Sequence, residues 1–259
     1  NLMEDALTTQ RWYIVVAMGR KAGHLALAIG RSSGATLTLI PEEWRGRKIR
    51  MQEVIDVLVT SILRRLAEGR RHGVAVIAEG VIEQMEVEDL DQLKNAERDE
   101  HGHVRLAEIN FGDVVKNAVR ADMKTLGIDM RMVSQNVGYE LRCADPSPYD
   151  IDYTRAIGQA AAEFLINGGS HATITIQYGR VVPIAFDDMM DPQTGRTEVR
   201  IVDVDSAQYH SAYNLMVRLK EENADDDILI SRMAAQTNLT PDQLMRRYGY
   251  LMGAAERPF

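Results

Sequence analysis

Short unbroken apolar runs alternate with longer amphipathic stretches along this chain. Tyr13–Ala17 (YIVVA) and Val74–Ala78 (VAVIA) are continuous rather than alternating, the pattern of strands buried on both faces. Ala35–Ile40 (ATLTLI), closed by Pro41, predicts a further strand, as do Arg131–Val137 and Ala172–Tyr178 (ATITIQY). Helical spacing is clearest in Met51–Leu66, where Met51, Val54, Ile55, Leu58, Ile62 and Leu66 recur at three- and four-residue intervals before Gly69 and Gly73. Other helices are predicted over His24–Ser32, about Asp113–Leu126, Ile151–Ile166 and Ser206–Glu221. A final pair follows, the last starting at Thr240-Pro241, an N-cap followed by proline at the first helical position. Val81–Val104 is polar and acid-rich and reads as a surface excursion. Strand, helix and strand in alternation imply right-handed crossovers. The fold class is therefore α/β, a doubly wound, largely parallel sheet with flanking helices, followed by a helical C-terminal extension.

Composition narrows the classes. With 259 residues, 45% of them hydrophobic, the chain can bury a sizeable core as one large domain or two small ones. Runs such as Tyr13–Met18 are far too short to span a bilayer, and Asn1–Asp5 carries acids where a signal peptide needs bases. The single cysteine, Cys143, excludes an intrachain disulfide framework and fits a reducing, cytoplasmic compartment. A net charge of −8 argues against nucleic-acid and acidic-membrane partners. It leaves open a small anionic ligand, which needs only a few converging arginines. No internal repeat stands out, and Asp225–Asp227 reads as a solvated helix start.

In an open parallel sheet, ligands bind beyond the carboxyl ends of the strands. That rule selects Met18–Gly23, Glu79-Gly80 and Gly138–Arg142. Arg20 offers a planar fork of donors matched to phosphate or carboxylate, and Arg142 is a second guanidinium. Gly19 and Gly23 allow backbone to approach an anion or a helix to start there, or they serve turn geometry alone. Glu79, an acceptor when ionised, can hold sugar hydroxyls, cap the next helix or pair with a surface arginine. Tyr139 adds a hydroxyl on an apolar ring. His101-Gly102-His103 has no further ligands at a sensible spacing and reads as surface rather than metal site.

Several segments closely resemble the phosphofructokinase family. They are Met18-Gly19-Arg20-Lys21-Ala22-Gly23-His24, Gly34–Glu43 (GATLTLIPEE), Ala78-Glu79-Gly80, and Val137-Gly138-Tyr139-Glu140-Leu141-Arg142 with Pro148-Tyr149-Asp150 behind. Order and spacing agree from about Gln10 to Phe186. The resemblance implies phosphoryl transfer to C1 of fructose 6-phosphate, in glycolysis. It puts Met18, Gly19 and Arg20 on the sugar, Glu79 on its hydroxyls and Arg142 on its 6-phosphate. Tyr139 stands where many ATP-using members carry histidine. Arg11, seven positions before Met18, is expected to reach a neighbouring subunit's site in a homo-oligomer, dimer or tetramer. A further arginine role falls at Val133 and is carried to Arg131 nearby.

Cys143-Ala144-Asp145 replaces the Gly-Gly of many relatives, resembles the pyrophosphate-dependent branch, and makes pyrophosphate the favoured donor, with ATP the alternative. The family's glycine-rich donor loop, its Gly-Gly-Asp motif for Mg²⁺ and its Thr-Ile-Asp-Asn-Asp segment with the catalytic base do not occur in these residues. The N-terminal lobe is thus expected to be mostly missing, with no catalytic residue and no ligand for the donor's Mg²⁺ in this chain. The organisation expected is a sugar-phosphate-binding domain over 1–141, a segment over 142–192 that returns to the donor-binding lobe and exposes apolar surface without it, and a C-terminal extension over 193–259. The chain alone is expected to be inactive. A non-catalytic, sugar-phosphate-binding regulatory subunit is the alternative.

Overall fold

The computed structural model describes residues 1–89 and 110–253. His101-Gly102-His103 and the later part of the Val81–Val104 stretch lie outside the described residues. Two compact units are present: the described parts of Asn1–Gly138 with Ile201–Phe259, and Tyr139–Arg200.

The first unit is built on a four-stranded parallel sheet. β1 (Trp12–Ala17) lies between β3 (Gly73–Ala78) and β4 (Met132–Val137), and β2 (Leu37–Leu39) pairs with the outer side of β3. All six residues of β1 and of β3 are buried, as their unbroken apolar runs require. Ahead of β1 stands α1 (Leu2–Thr9); α2 (His24–Ser33) joins β1 to β2, and α3 (Met51–Ala67) joins β2 to β3. After β3 come α4 (Gly80–Gln84) and α5 (Phe111–Thr125), which leads into β4. The crossover from β1 runs toward β2, whereas that from β3 runs the other way, over β1 to β4. Right-handed connections then put α2 on one face and α3 with α5 on the other, and α3 and α5 are in contact.

The C-terminal segment completes this unit through α8 (Ala207–Leu215), α9 (Asp227–Ala234) and α10 (Pro241–Tyr248). Ser206, Asp226 and Thr240 cap these helices, each accepting a backbone amide hydrogen bond. Tyr209, Leu219, Met233, Leu244 and Tyr248 are buried in the common core. The predicted helix over Ser206–Glu221 stops at Leu215, because the next residues are claimed by the sheet unit. Val217 N–H donates to Thr36 O at 2.9 Å, and the Ser61 hydroxyl donates to Val217 O at 2.6 Å. Arg218 forms an ion pair with Glu43 at 2.7 Å, their side chains 12% and 10% exposed. Burial pushes the Arg218 pKa down, but the Glu43 carboxylate and its neighbours outweigh it and the net shift is upward.

The second unit holds α6 (Tyr139–Cys143), α7 (Pro148–Ile166) and a hairpin of β5 (Ala172–Gln177) with β6 (Arg180–Ala185). α7 begins three residues before the predicted Ile151, because Ser147 at the N-cap and Asp150 form a capping box that spans Pro148 at the first helical position. β6 escaped prediction. Its turn, Tyr178-Gly179, has both residues at positive φ, the hairpin geometry without an Asn-Gly signature. Only Ala160 of α7 is buried, while Leu165 and Ile166 are 64% and 83% exposed, so the expected apolar surface is present. Near α4 the reading needs correction: Val81, Ile82 and Met85 are buried, so the predicted surface excursion starts as core. Among the described residues no helix is long and apolar enough to cross a membrane.

Removing one partner of a buried pair leaves an uncompensated charge. Arg218→Ala is expected to cost about 3–5 kcal/mol in urea unfolding, whereas replacing Glu43 and Arg218 together by leucine and methionine should restore most of it.

Candidate functional site

Because the crossovers leaving β1 and β3 diverge, the carboxyl ends of these adjacent strands frame a crevice. Both rims come directly out of the strands. Glu79 N–H donates to Ala17 O at 2.8 Å, and Met18 N–H to Val137 O at 3.0 Å, so both chain exits continue the ladder. Gly19 N–H then donates to the Glu79 carboxylate at 3.2 Å, and Gly80 N–H to Gly19 O at 3.0 Å. Glu79 stands at the N-cap position of α4 but makes no side-chain cap bond there. Of the roles open to it in the sequence, helix capping is therefore not the one adopted. Its half-buried carboxylate faces the turn instead.

The turn is fixed closely. A Cβ on Gly80 would fall 2.6 Å from Arg20 O, so α4 abuts the backbone of the Met18–Gly23 turn. Arg20 itself is exposed and pairs with Glu83, Nε to Oε1 at 2.9 Å, with side chains 42% and 24% exposed. At the far end of the turn, Gly23 N–H donates to Glu42 Oε1 at 2.8 Å. Sequence reasoning singled out neither Glu83 nor Glu42. Glu83 had a signal, lying one helical turn beyond Glu79; Glu42 is brought close only by the fold.

Met18, Gly19, Arg20 and Glu79 are thus gathered at one end of the sheet. Arg11 and Arg131 are at the other. Each immediately precedes its strand, and the pairing of Trp12 with Met132 makes the two arginines neighbours in register. A six-residue strand separates them from the crevice, about 20 Å at the usual rise. Arg11 donates from Nε to Thr9 Oγ1 at 2.7 Å, and Arg131 is exposed. Tyr139 and Arg142 belong to the second unit, on α6, and both are exposed. The Arg142 guanidinium lies over the Tyr139 ring, 5.6 Å from its centroid. Among the described residues no group of three or more His, Cys, Asp or Glu side chains is placed to hold a metal ion.

The family model for phosphofructokinase matches residues 1–165, nearly two-thirds of the chain. This chain belongs to the phosphofructokinase family. Two curated relatives carry the name pyrophosphate–fructose 6-phosphate 1-phosphotransferase. That from Naegleria fowleri is 40% identical over 97% of this chain, and that from Thermotoga maritima 42% identical over 96%. This phosphofructokinase-family chain spans 60% of the length of each. Among solved structures, pyrophosphate-dependent phosphofructokinase from Nitrosospira multiformis has a TM-score of 0.53 at 17% identity. It is covered over 55% of its length by 93% of this chain, a likeness of fold.

The contact between Gly80 and the turn yields a prediction. Gly80→Ala must push the Arg20 carbonyl aside, and overpacking of this kind should cost about 1–3 kcal/mol in a denaturant titration.

Proposed function

We propose that this chain supplies the sugar-phosphate side of a pyrophosphate-dependent 6-phosphofructokinase. The observation that carries the reading is the Gly19–Glu79 contact, which joins the two most family-like motifs at the carboxyl ends of adjacent parallel strands. Names of relatives at 40–42% identity support pyrophosphate as the donor. In the reaction proposed, the C1 hydroxyl oxygen of fructose 6-phosphate forms a bond to one phosphorus of pyrophosphate. The bridging P–O bond breaks, and inorganic phosphate leaves with fructose 1,6-bisphosphate as the other product.

Each residue receives a role suited to its chemistry. Glu79 accepts from sugar hydroxyls while Gly19 N–H holds its other side. Arg142 donates to oxygens of the 6-phosphate, and Met18, Arg20 and Tyr139 complete the contacts with the sugar phosphate. Arg11 and Arg131 sit at the opposite end of the sheet, so any contact they make with sugar phosphate is assigned to a neighbouring copy in a homo-oligomer, dimer or tetramer. A base for the C1 hydroxyl proton and the ligands of Mg²⁺ are assigned to polypeptide outside these residues. The metal would neutralise charge on the donor phosphates. A cytoplasmic, glycolytic setting goes with this reading.

Calorimetric titration with fructose 6-phosphate tests it. Saturable binding is expected; Arg142→Ala should weaken it by about 1.5–3 kcal/mol, the worth of a hydrogen bond to a charged group. Glu79→Gln should spare the fold and also weaken binding. No binding by a folded chain, or Glu79→Gln and Arg142→Ala variants that bind as well as the parent, would remove these roles. Donor choice is tested separately, by assaying the complete enzyme with each donor. Turnover with pyrophosphate and not with ATP is expected.

A further inference from the structure

Glu42 is a carboxylate where none is needed for solubility, 6% exposed in the 3₁₀ turn Pro41–Trp44 that follows β2. Its Oε1 accepts two backbone N–H groups from distant parts of the chain, Gly23 at 2.8 Å and Val202 at 2.9 Å. The other oxygen is buried without a hydrogen-bond partner among the described residues. Burying such a group is costly, and an apolar side chain here would avoid that cost while stranding the two amides. Contact with Gly23 is close as well: a Cβ there would fall 2.8 Å from Glu42 Oε2 and overlap Ile40.

The second donor is held independently of Glu42. Val202 is 5% exposed, and three residues on Asp205 pairs with Arg45 through two hydrogen bonds, at 2.7 and 3.1 Å. Farther along, Arg218 is locked to Glu43, the residue next to Glu42. On the other side, the Met18–Gly23 turn is gripped at Gly19 by the Glu79 carboxylate and at Gly23 by Glu42. Between those two grips the exposed side chains are Arg20 and Lys21.

We propose that Glu42 is a positioning residue, holding the far end of the Met18–Gly23 turn so that Arg20 meets the sugar phosphate, and tying that geometry to the C-terminal segment through Val202. The proposal rests on the sugar-phosphate reading of this turn. Glu42 touches no substrate itself; it acts through the Gly23 amide.

Hydrogen exchange read by mass spectrometry, together with calorimetric titration with fructose 6-phosphate, tests this on the parent chain, Glu42→Gln and Glu42→Ala. In Glu42→Ala, protection should fall in peptides covering 18–24 and 200–206 while peptides from α3 and β3 keep theirs. Affinity for fructose 6-phosphate should drop about tenfold or more, because binding must then re-order a turn that the free chain no longer holds. Glu42→Gln keeps a neutral acceptor and should fall between parent and alanine in both readouts. A folded Glu42→Ala chain with parental protection over 18–24 overturns the proposal. So does lost protection with parental affinity, which would leave Glu42 a purely structural residue. If the alanine variant does not fold, Glu42→Gln decides: parental values in both readouts overturn the proposal, and a joint decrease sustains it. Should the parent chain bind no fructose 6-phosphate, the sugar-phosphate reading fails. The exchange data then judge the clamp alone, and unchanged protection over 18–24 overturns it.

Discussion

A strand buried on both faces and hydrogen-bonded along both edges has room for a side-chain polar atom only where a partner reaches it, as Asp5 reaches the Tyr13 hydroxyl of β1. β1 is such a strand, all six residues buried between β3 and β4. Everything chemical about this part of the molecule is displaced to its two termini. Arg11 stands at one, and Met18-Gly19-Arg20 at the other. The length of the six-residue strand separates those ends. Connections leaving β1 and β3 part to opposite faces, and the crevice between them receives the turn and Glu79. Over Ile14–Ala17, where every side chain is aliphatic and buried, an unpaired polar atom would cost roughly 1–3 kcal/mol.

The same accounting explains how the C-terminal segment belongs to the first unit. Two consecutive carboxylates, Glu42 and Glu43, follow the shortest strand of the sheet and face inward. Each needs partners once buried, and the local chain provides only part of what they need. Val202 and Arg218 of the C-terminal segment supply further partners, one to each. Thr36 shows the effect on backbone: its carbonyl, at the margin of β2, accepts from Val217. Thr36 N–H also donates to Val74 O, so the edge strand is tied to β3 on one side and to the C-terminal segment through the same residue; β2 itself is three residues long where the apolar pattern predicts six.

Much of the fold was legible because its pattern is local. Unbroken runs gave β1 and β3, three-and-four spacing gave α3, and Thr240-Pro241 marked the start of α10. What sequence reading missed depends on partners far along the chain. The end of α8 is set by Thr36 and Ser61, about 150 or more residues earlier. β6, with Arg180 and Pro183, is a strand only because β5 pairs with it in register. The candidate site divides the same way. Motifs selected Gly19, Arg20 and Glu79, and the crevice gathers them. Glu42 carried no motif role, since its meaning lies in two amides that no spacing brings together.

Magnitudes distinguish the ion pair that holds the fold from the one at the Met18–Gly23 turn. Glu43 and Arg218 are nearly buried, so parting them strands charge in the core, and no ligand can replace either partner. Arg20 and Glu83 lie in water to a large degree, 42% and 24% exposed. A pair so placed is worth about 0–1 kcal/mol. The Arg20–Glu83 pair therefore adds little to the stability of the fold. What must not move is the backbone beneath it, and that backbone is held by groups that are partly or fully buried: the Glu79 carboxylate, Gly80 and the Gly23 amide. An exposed arginine thus stands on a turn whose backbone is held by contacts at both ends, Glu79 on Gly19 and Glu42 on Gly23.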